Sequence, residues 1–421
     1  MLKVGAACLD ITPPLGTEIP GLFHQRWAEV IHDPLKVRSF ALEREGEGIA
    51  VAVCDLIGVK RDYLDRAKAA VAEATGLTPE RVLISCTHTH TGAKTGEDAY
   101  TEFLVGRIAD AVRLAWENRA PAEVGWGRTA EDRVVFNRRY WMKEGGVRTN
   151  PGVGNPEVVK PAGPVDPEVG ALCLRRSGGE TVGLLANYSL HYVGGGDAQR
   201  AVSADYFGCF SGLVQRLTGE TFVAALSNGA CGDINNIDVM GQTRSANDRY
   251  QHTERVAALV AAHAFWICNG MTFSDDLPLG AAMEEVVLKR KPAPAEADVA
   301  RAREIEQQGK GTMAERAFAR RTLHRLAEFP EEVHTWVQAL RIGDLALVGA
   351  PGELLVDLGL DIKKRSPFGQ TMVLELANDS IGYLPPRRAF EEGGYEPQAC
   401  NFEPGVGELL ADTAVKLLGQ L

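Results

Sequence analysis

Apolar residues recur along the chain in short runs whose length suits β-strands. They include Ile49–Cys54, Arg81–Cys86, Val169–Leu174, Thr181–Leu190, Phe222–Leu226, Ala339–Ile342, Leu345–Val348 and Thr371–Leu376. Gly, Pro, Asn or Asp punctuates them, as strand ends require. Between the runs the apolar spacing lengthens to i, i+3, i+4 over Tyr63–Thr75, Thr101–Glu117, Asp205–Thr218 and Tyr250–Cys268. That spacing predicts helices, the first closed by Gly76. Strand and helix signals intermix, so the predicted class is α/β: a layered mixed β-sheet core flanked by helices. Two segments stand apart. Arg138 to Asp166 is rich in Gly, Pro and Asn and reads as a long irregular loop. Glu296 to Glu332 is charged, Ala-rich and broken at Gly309-Lys310-Gly311, which predicts a solvated helical hairpin inserted in the core. A lid, a contact between copies in a homo-oligomer, or plain decoration are all open to it. With no internal repeat, residues 1–421 read as a single domain carrying the 296–332 insertion.

Charge narrows the partners. Forty-five Lys and Arg stand against 56 Asp and Glu, a net charge of −11. No net basic field exists to attract a nucleic acid or an anionic membrane surface. No apolar run approaches the roughly 20 residues of a membrane helix. The opening Met1 to Cys8 lacks a basic region followed by an apolar one and reads as folded sequence rather than a leader. Eight scattered cysteines without a CxxC pair read as buried free thiols in a reducing compartment. The expectation is a cytoplasmic protein acting on a small or lipid-like molecule.

Candidate chemistry sits where strand runs end. Thr87-His88-Thr89-His90-Thr91-Gly92 follows Arg81–Cys86, and in an extended chain alternate side chains share a face. His88 and His90 would then project together from the carboxyl end of a strand, where open α/β sheets bind ligands. Two imidazoles so placed suit zinc. By chance alone, however, 9 histidines would give such a triplet about 0.2 times per chain, so the motif by itself decides little. His191 ends another apolar run before Gly194-Gly195-Gly196, and a hydrogen-bonded core histidine is the plainer reading there. Asn228 to Asn236 forms a small-residue turn suited to backbone donation or to contacts behind a metal. Glu353, in Ala350-Pro351-Gly352-Glu353, reads as a metal ligand or, more simply, as an acid at a helix start. Tyr383 and Tyr395 lie in Gly- and Pro-bounded loops where tyrosine is usually a packing residue.

Taken in order, these elements resemble the catalytic domain of the neutral/alkaline (non-lysosomal) ceramidases, zinc-dependent amidases that cleave the N-acyl bond of ceramide. The resemblance runs from Asp10-Ile11-Thr12-Pro13-Pro14 through Ile31-His32-Asp33-Pro34, the Thr87–Gly92 element, Asn137-Arg138, Leu190-His191 and Ser203-Ala204-Asp205-Tyr206. It continues through Asn228-Gly229-Ala230-Cys231-Gly232-Asp233 and Pro351-Gly352-Glu353 to Asn378-Asp379, Tyr383 and Tyr395-Glu396. It implies Zn²⁺ held by His88, His191, Glu353 and Tyr383, with His90, Arg138 and Tyr395 as the residues acting on substrate. The sequence also departs from that pattern. Asn235 stands where the family has a serine, Ala93 replaces a proline, and the chain ends without the family's C-terminal immunoglobulin-like domain. The reading is a zinc hydrolase cleaving an amide, N-acyl bond. The same site acting on an ester, lactone or glycosidic bond is the alternative, and a binding protein that kept the scaffold is a third.

Overall fold

Strand Glu47–Cys54 shows why the core strands read as unbroken apolar runs. Ile49, Val51 and Val53 pack toward a second sheet, whereas Ala50, Ala52 and Cys54 pack beneath helices. Both faces are covered, so alternation of polarity disappears and only the size of the side chain alternates. The computed structural model describes residues 1–194, 200–241, 249–327 and 329–421. The strands of its two main sheets are numbered here in chain order.

The larger sheet holds β1 (Lys3–Asp10), β2 (Lys36–Arg44), β3 (Glu47–Cys54), β4 (Val82–Cys86), β5 (Ala120–Ala130), β6 (Glu168–Arg176), β7 (Thr181–Tyr188) and β8 (Val223–Asn228). Their spatial order is β8-β7-β6-β5-β1-β2-β3-β4. The smaller sheet runs β9 (Leu279–Lys289), β10 (Glu332–Ile342), β11 (Leu345–Gly349) and β12 (Gln370–Leu374), in that order. Most neighbours are antiparallel. The three parallel pairs are β3–β4, β7–β8 and β11–β12, each bridged by a helix: α1 (Arg61–Thr75), α3 (Asp205–Thr218) and α7 (Val356–Arg365). Parallel neighbours need such a crossover, which returns the chain to the same end of the sheet. α2 (Ala99–Glu117) lies beside α1, and α4 (Arg249–Gly270) beside α3. The sheets pack face to face through Leu42, Leu83, Leu185, Leu340, Leu347 and Met372, and helices close both outer faces.

The predicted helices are present within two residues of their expected bounds, and Gly76 caps α1 in the left-handed conformation at φ 78°. Strands β1, β2, β5 and β9 interleave charged or glycine residues and leave no continuous run to find. The 138–166 segment is not irregular: Arg139–Met142, Val147–Thr149 and Val158–Pro161 form a small three-stranded sheet. Short strands among turn residues carry too little periodicity to register. The hairpin is present as α5 (Glu296–Gln308) and α6 (Met313–Ala327), turning at Gly309 with φ 61°. It springs from the end of the β9–β10 ladder, where Lys289 pairs with Glu332, so it takes the place of a tight turn. All eight cysteines are free, but only five are buried; Cys8 is exposed, and Cys209 and Cys268 are half-buried. Among the described residues no helix is long and apolar enough to cross a membrane.

Candidate metal centre and active site

The three parallel pairs deliver the candidate residues to one place. His88 lies just past β4, His191 past β7, and Glu353 past β11. β4 stops at Cys86, and His88 takes a left-handed backbone at φ 66°. Such a conformation is costly for a residue with a Cβ and persists only where surroundings enforce it. Here they do: the His88 amide donates to Leu56 O at 2.9 Å and its Nδ1 donates to Ile57 O at 2.8 Å. A turn, not the alternation of an extended strand, therefore brings His88 and His90 together. Their ring centroids are 4.8 Å apart, and those of His88 and His191 4.6 Å. One nitrogen from each of the three buried imidazoles falls within 4.8 Å of the others, close enough to hold a metal ion.

Glu353 and Tyr383 arrive by a different route. The two-residue strands Glu353–Leu354 and Tyr383–Leu384 pair in parallel with Glu353 opposite Tyr383, which turns both side chains to one side. Glu353 thus begins a strand, and α7 starts only at Val356, so the helix-start reading fails. Glu353 Oε2 lies 3.3 Å from His88 Nε2 and 3.7 Å from His191 Nδ1. Neither His88 Nε2 nor Glu353 Oε2 has a hydrogen-bond partner, though both are buried. Buried polar atoms call for partners, and these two lie in the imidazole cluster where a ligand would supply one.

Arg138 stands behind this cluster. Its Nε donates to Glu396 Oε1 at 2.8 Å, Nη1 to His191 Nδ1 at 3.2 Å, and Nη2 to Gly232 O at 2.6 Å and Tyr383 Oη at 3.1 Å. The resemblance led us to expect it against the substrate; the structure engages it instead with protein acceptors, away from the cavity wall. Because arginine only donates, His191 Nδ1 accepts and its Nε2 carries the proton, which it donates to His90 Nε2 at 3.0 Å. His90 Nδ1 then donates to Gly21 O at 2.9 Å.

Further residues build the site from behind, some in the Asn228–Asn236 turn that the sequence offered for contacts behind a metal, others without a role in the sequence reading. Asn228 accepts from the Leu190 amide at 3.1 Å and donates to Thr87 O at 3.3 Å, tying together the segments that carry His191 and His88. Glu396, fully buried, anchors both Arg138 and Arg139. Asn378, itself left-handed at φ 64°, exchanges hydrogen bonds with Ile84 of β4. Gly232 has no room for a side chain, because a Cβ there would sit 2.7 Å from Glu353 O. Asn235, at the position of the family's serine, donates to Asn150 Oδ1 at 2.7 Å rather than joining the cluster. Gly195 and Gly196 lie outside the described residues.

Burial and neighbouring charges set protonation. Burial and then the adjacent His88 hold His90 down at about 3, while burial and then Arg138 push His191 well below the usual imidazole value. Both rings are neutral near pH 7. Burial raises the Glu353 carboxyl, but His88 and Arg138 outweigh it and keep the group below the ordinary carboxylate range. Burial likewise opposes the charged form of His88, and Glu353 overcomes it. Burial, then Glu353, drives the Tyr383 phenol far up. The imidazoles of His88 and His191 beside a carboxylate make a donor set that fits a divalent cation, and a bound cation would disfavour the proton on His88 and reverse the pressure on the phenol.

A cavity of about 700 Å³ opens onto His88, His90, Glu353, Tyr383 and Tyr395. Tyr395 packs edge-on against Tyr383, Phe318 of α6 and Phe23, at centroid distances of 5.4, 5.6 and 5.9 Å. α6 also contributes Met313, Arg316, Arg320 and Arg321 to the cavity wall.

No protein-family model and no curated protein matches the chain by sequence. Solved structures do resemble it. A ceramidase complexed with C2 superposes with a TM-score of 0.77 over 99% of this chain and 74% of its own, at 16% identity. Neutral ceramidase from Pseudomonas aeruginosa gives 0.77 over 100% and 75%, at 17% identity. A likeness of that extent, with the parallel pairs and the cluster at their carboxyl ends, identifies the architecture of this chain as the neutral ceramidase fold.

Proposed function

We propose that the chain is a zinc-dependent hydrolase that cleaves an amide, N-acyl bond of a small or amphiphilic substrate. The observation that carries the reading is the pair of buried, unpartnered atoms, His88 Nε2 and Glu353 Oε2, facing each other at 3.3 Å. His88, His191, Glu353 and Tyr383 would hold the ion. His90, in the same cluster, would act on the substrate instead, and His191, whose nitrogens are also in hydrogen bonds here, would give up the one to His90 to bind the ion. When bound, zinc supplies Lewis acidity and lowers the pKa of water toward 7.

The chain's own residues do the remaining work. Neutral His90 lines the cavity and is held in one tautomer by Gly21 O; with its contact to His191 released, its Nε2 would accept a proton and return it to the leaving amine. Tyr395 lines the cavity too, and burial raises its phenol, so its hydroxyl keeps a proton to donate toward the developing oxyanion. One such donor is typically worth about 10²–10³ in turnover. Arg138 acts through others, orienting His191 and Tyr383. The structural neighbours named as ceramidases support an amide as the scissile bond.

The test is a panel of N-acyl amines, esters and aryl glycosides assayed with and without chelator. Hydrolysis of the amides that chelator abolishes and zinc restores is expected. Chelator-insensitive turnover removes the metal from the reading, and turnover confined to esters or glycosides reassigns the bond.

A further inference from the structure

The wall that α6 adds to the cavity carries none of the residues assigned above to the reaction, and its chemistry differs from the floor. Of its cavity-lining positions, Met313, Arg316, Ala317, Arg320 and Arg321 follow the i, i+3, i+4, i+7, i+8 rule as one stripe of the helix, and Phe318 stands beside them. Among the described residues no carboxylate lies within ion-pairing distance of Arg316, Arg320 or Arg321. Arg320 reaches Phe23 O at 3.4 Å and Arg321 reaches Ala399 O at 3.0 Å, which occupies one donor of each guanidinium. Some exposed arginines elsewhere are paired, as Arg66 is with Glu102 and Arg113 with Glu117. Of the acids that share the cavity, Glu18 pairs with Lys94 at 2.7 Å, and Glu353 belongs to the candidate metal centre. A cavity with surplus positive charge on a protein of net charge −11 concentrates anions at that one place. Phe318 on the same helix packs on Tyr395, so the stripe is held in register with the floor.

We propose that the substrate is an acidic N-acyl amide, such as an N-acyl amino acid, whose carboxylate is held by Arg316, Arg320 and Arg321 while the amide lies over the His90–Tyr395 floor. Guanidinium forks match a carboxylate in two-pronged geometry, and so does a sulfonate in part. A cavity of about 700 Å³ accepts a molecule of that size. The assignment rests on the amide-hydrolase reading above, and the experiment separates the two.

N-octanoylglycine, N-octanoyltaurine and the neutral N-octanoylglycinamide are compared as substrates of the full zinc-loaded chain and of its Arg316→Gln/Arg320→Gln variant. In the wild type, kcat/KM for N-octanoylglycine exceeds that for the neutral amide by about 30-fold or more, and the ratio falls toward unity in the variant. The Arg316→Lys/Arg320→Lys pair keeps charge without the fork and retains an intermediate ratio. A taurine conjugate preferred over the glycine one overturns the carboxylate assignment. Calorimetric binding of the same three molecules to the His88→Ala chain supplies a readout independent of turnover. If no amide is hydrolysed yet binding favours N-octanoylglycine and the glutamine pair abolishes that preference, the arginine assignment stands and the amidase reading falls. If the amides are hydrolysed with acid and neutral substrates equal, the amidase reading stands and the arginine assignment is overturned.

Discussion

In the candidate metal centre His88, His191 and Glu353 are buried, and each hangs from a different parallel strand pair. Elsewhere in the cavity lining Arg316, Arg320 and Arg321 come from one helix, at most half-buried, with no acid among the described residues to fix them. The difference follows from what each region must do. Groups that share an ion or a reacting carbonyl need positions good to a fraction of an ångström, which requires independent anchors in a rigid core. Groups that select a charge need only reach, and long flexible side chains on one exposed helix supply it.

Perturbing the two regions should therefore give effects of different size. The largest belongs to the metal centre. Glu353→Gln is expected to reduce bound zinc, measured by elemental analysis, and to lower amide turnover by about 10³-fold or more. Undiminished metal would break the metal-centre assignment. Next is Glu396→Gln, which never touches the cavity but loosens the buried anchor of Arg138 and Arg139. A loss of roughly 10–100-fold in zinc affinity is expected, followed by competition with a chelating dye. Gly232→Ala should cost about tenfold in the same assay, because the added Cβ pushes on the backbone of Glu353 while the far-ultraviolet circular dichroism stays native.

The smallest effect on activity, none, is expected at a buried charge remote from both regions. Lys68 on α1 is fully buried near Met283 Sδ, and burial pushes its ammonium down to about 7 from 10.5. Between those values the unfolded chain binds the proton and the folded one does not. Wild-type stability therefore rises with pH from about 7 toward 10.5, and the full penalty applies below 7. Lys68→Met should raise unfolding free energy by about 3–5 kcal/mol at pH 7, a gain that shrinks toward pH 10. Urea unfolding at two pH values measures it; a pH-independent difference would contradict the burial penalty.

Much of this was legible in the chain itself. The runs ending at Cys86, Leu190 and Val348 placed the three candidate-bearing turns, and the motif order pointed to the same seven residues that the structure gathers. The periodicity of Glu296–Glu332 announced a charged helical hairpin. What stayed hidden was the function of its arginines, because a charged helix face reads alike whether it meets water or a cavity. Glu396 and Asn378 were hidden for a related reason: a polar residue's partner across more than two hundred positions leaves no local trace.

Apolar run length, helical spacing and the small residues between them determined by themselves that this is a layered α/β protein with chemistry at its strand ends. Those signals act over a few residues, where sterics and burial dictate the outcome. The left-handed turn at His88, the pairing of Glu353 with Tyr383 and the withdrawal of Arg138 behind the imidazoles were decided only by the assembled sheets. Each depends on backbone and side-chain partners remote in sequence, and only packing brings those partners within hydrogen-bonding distance.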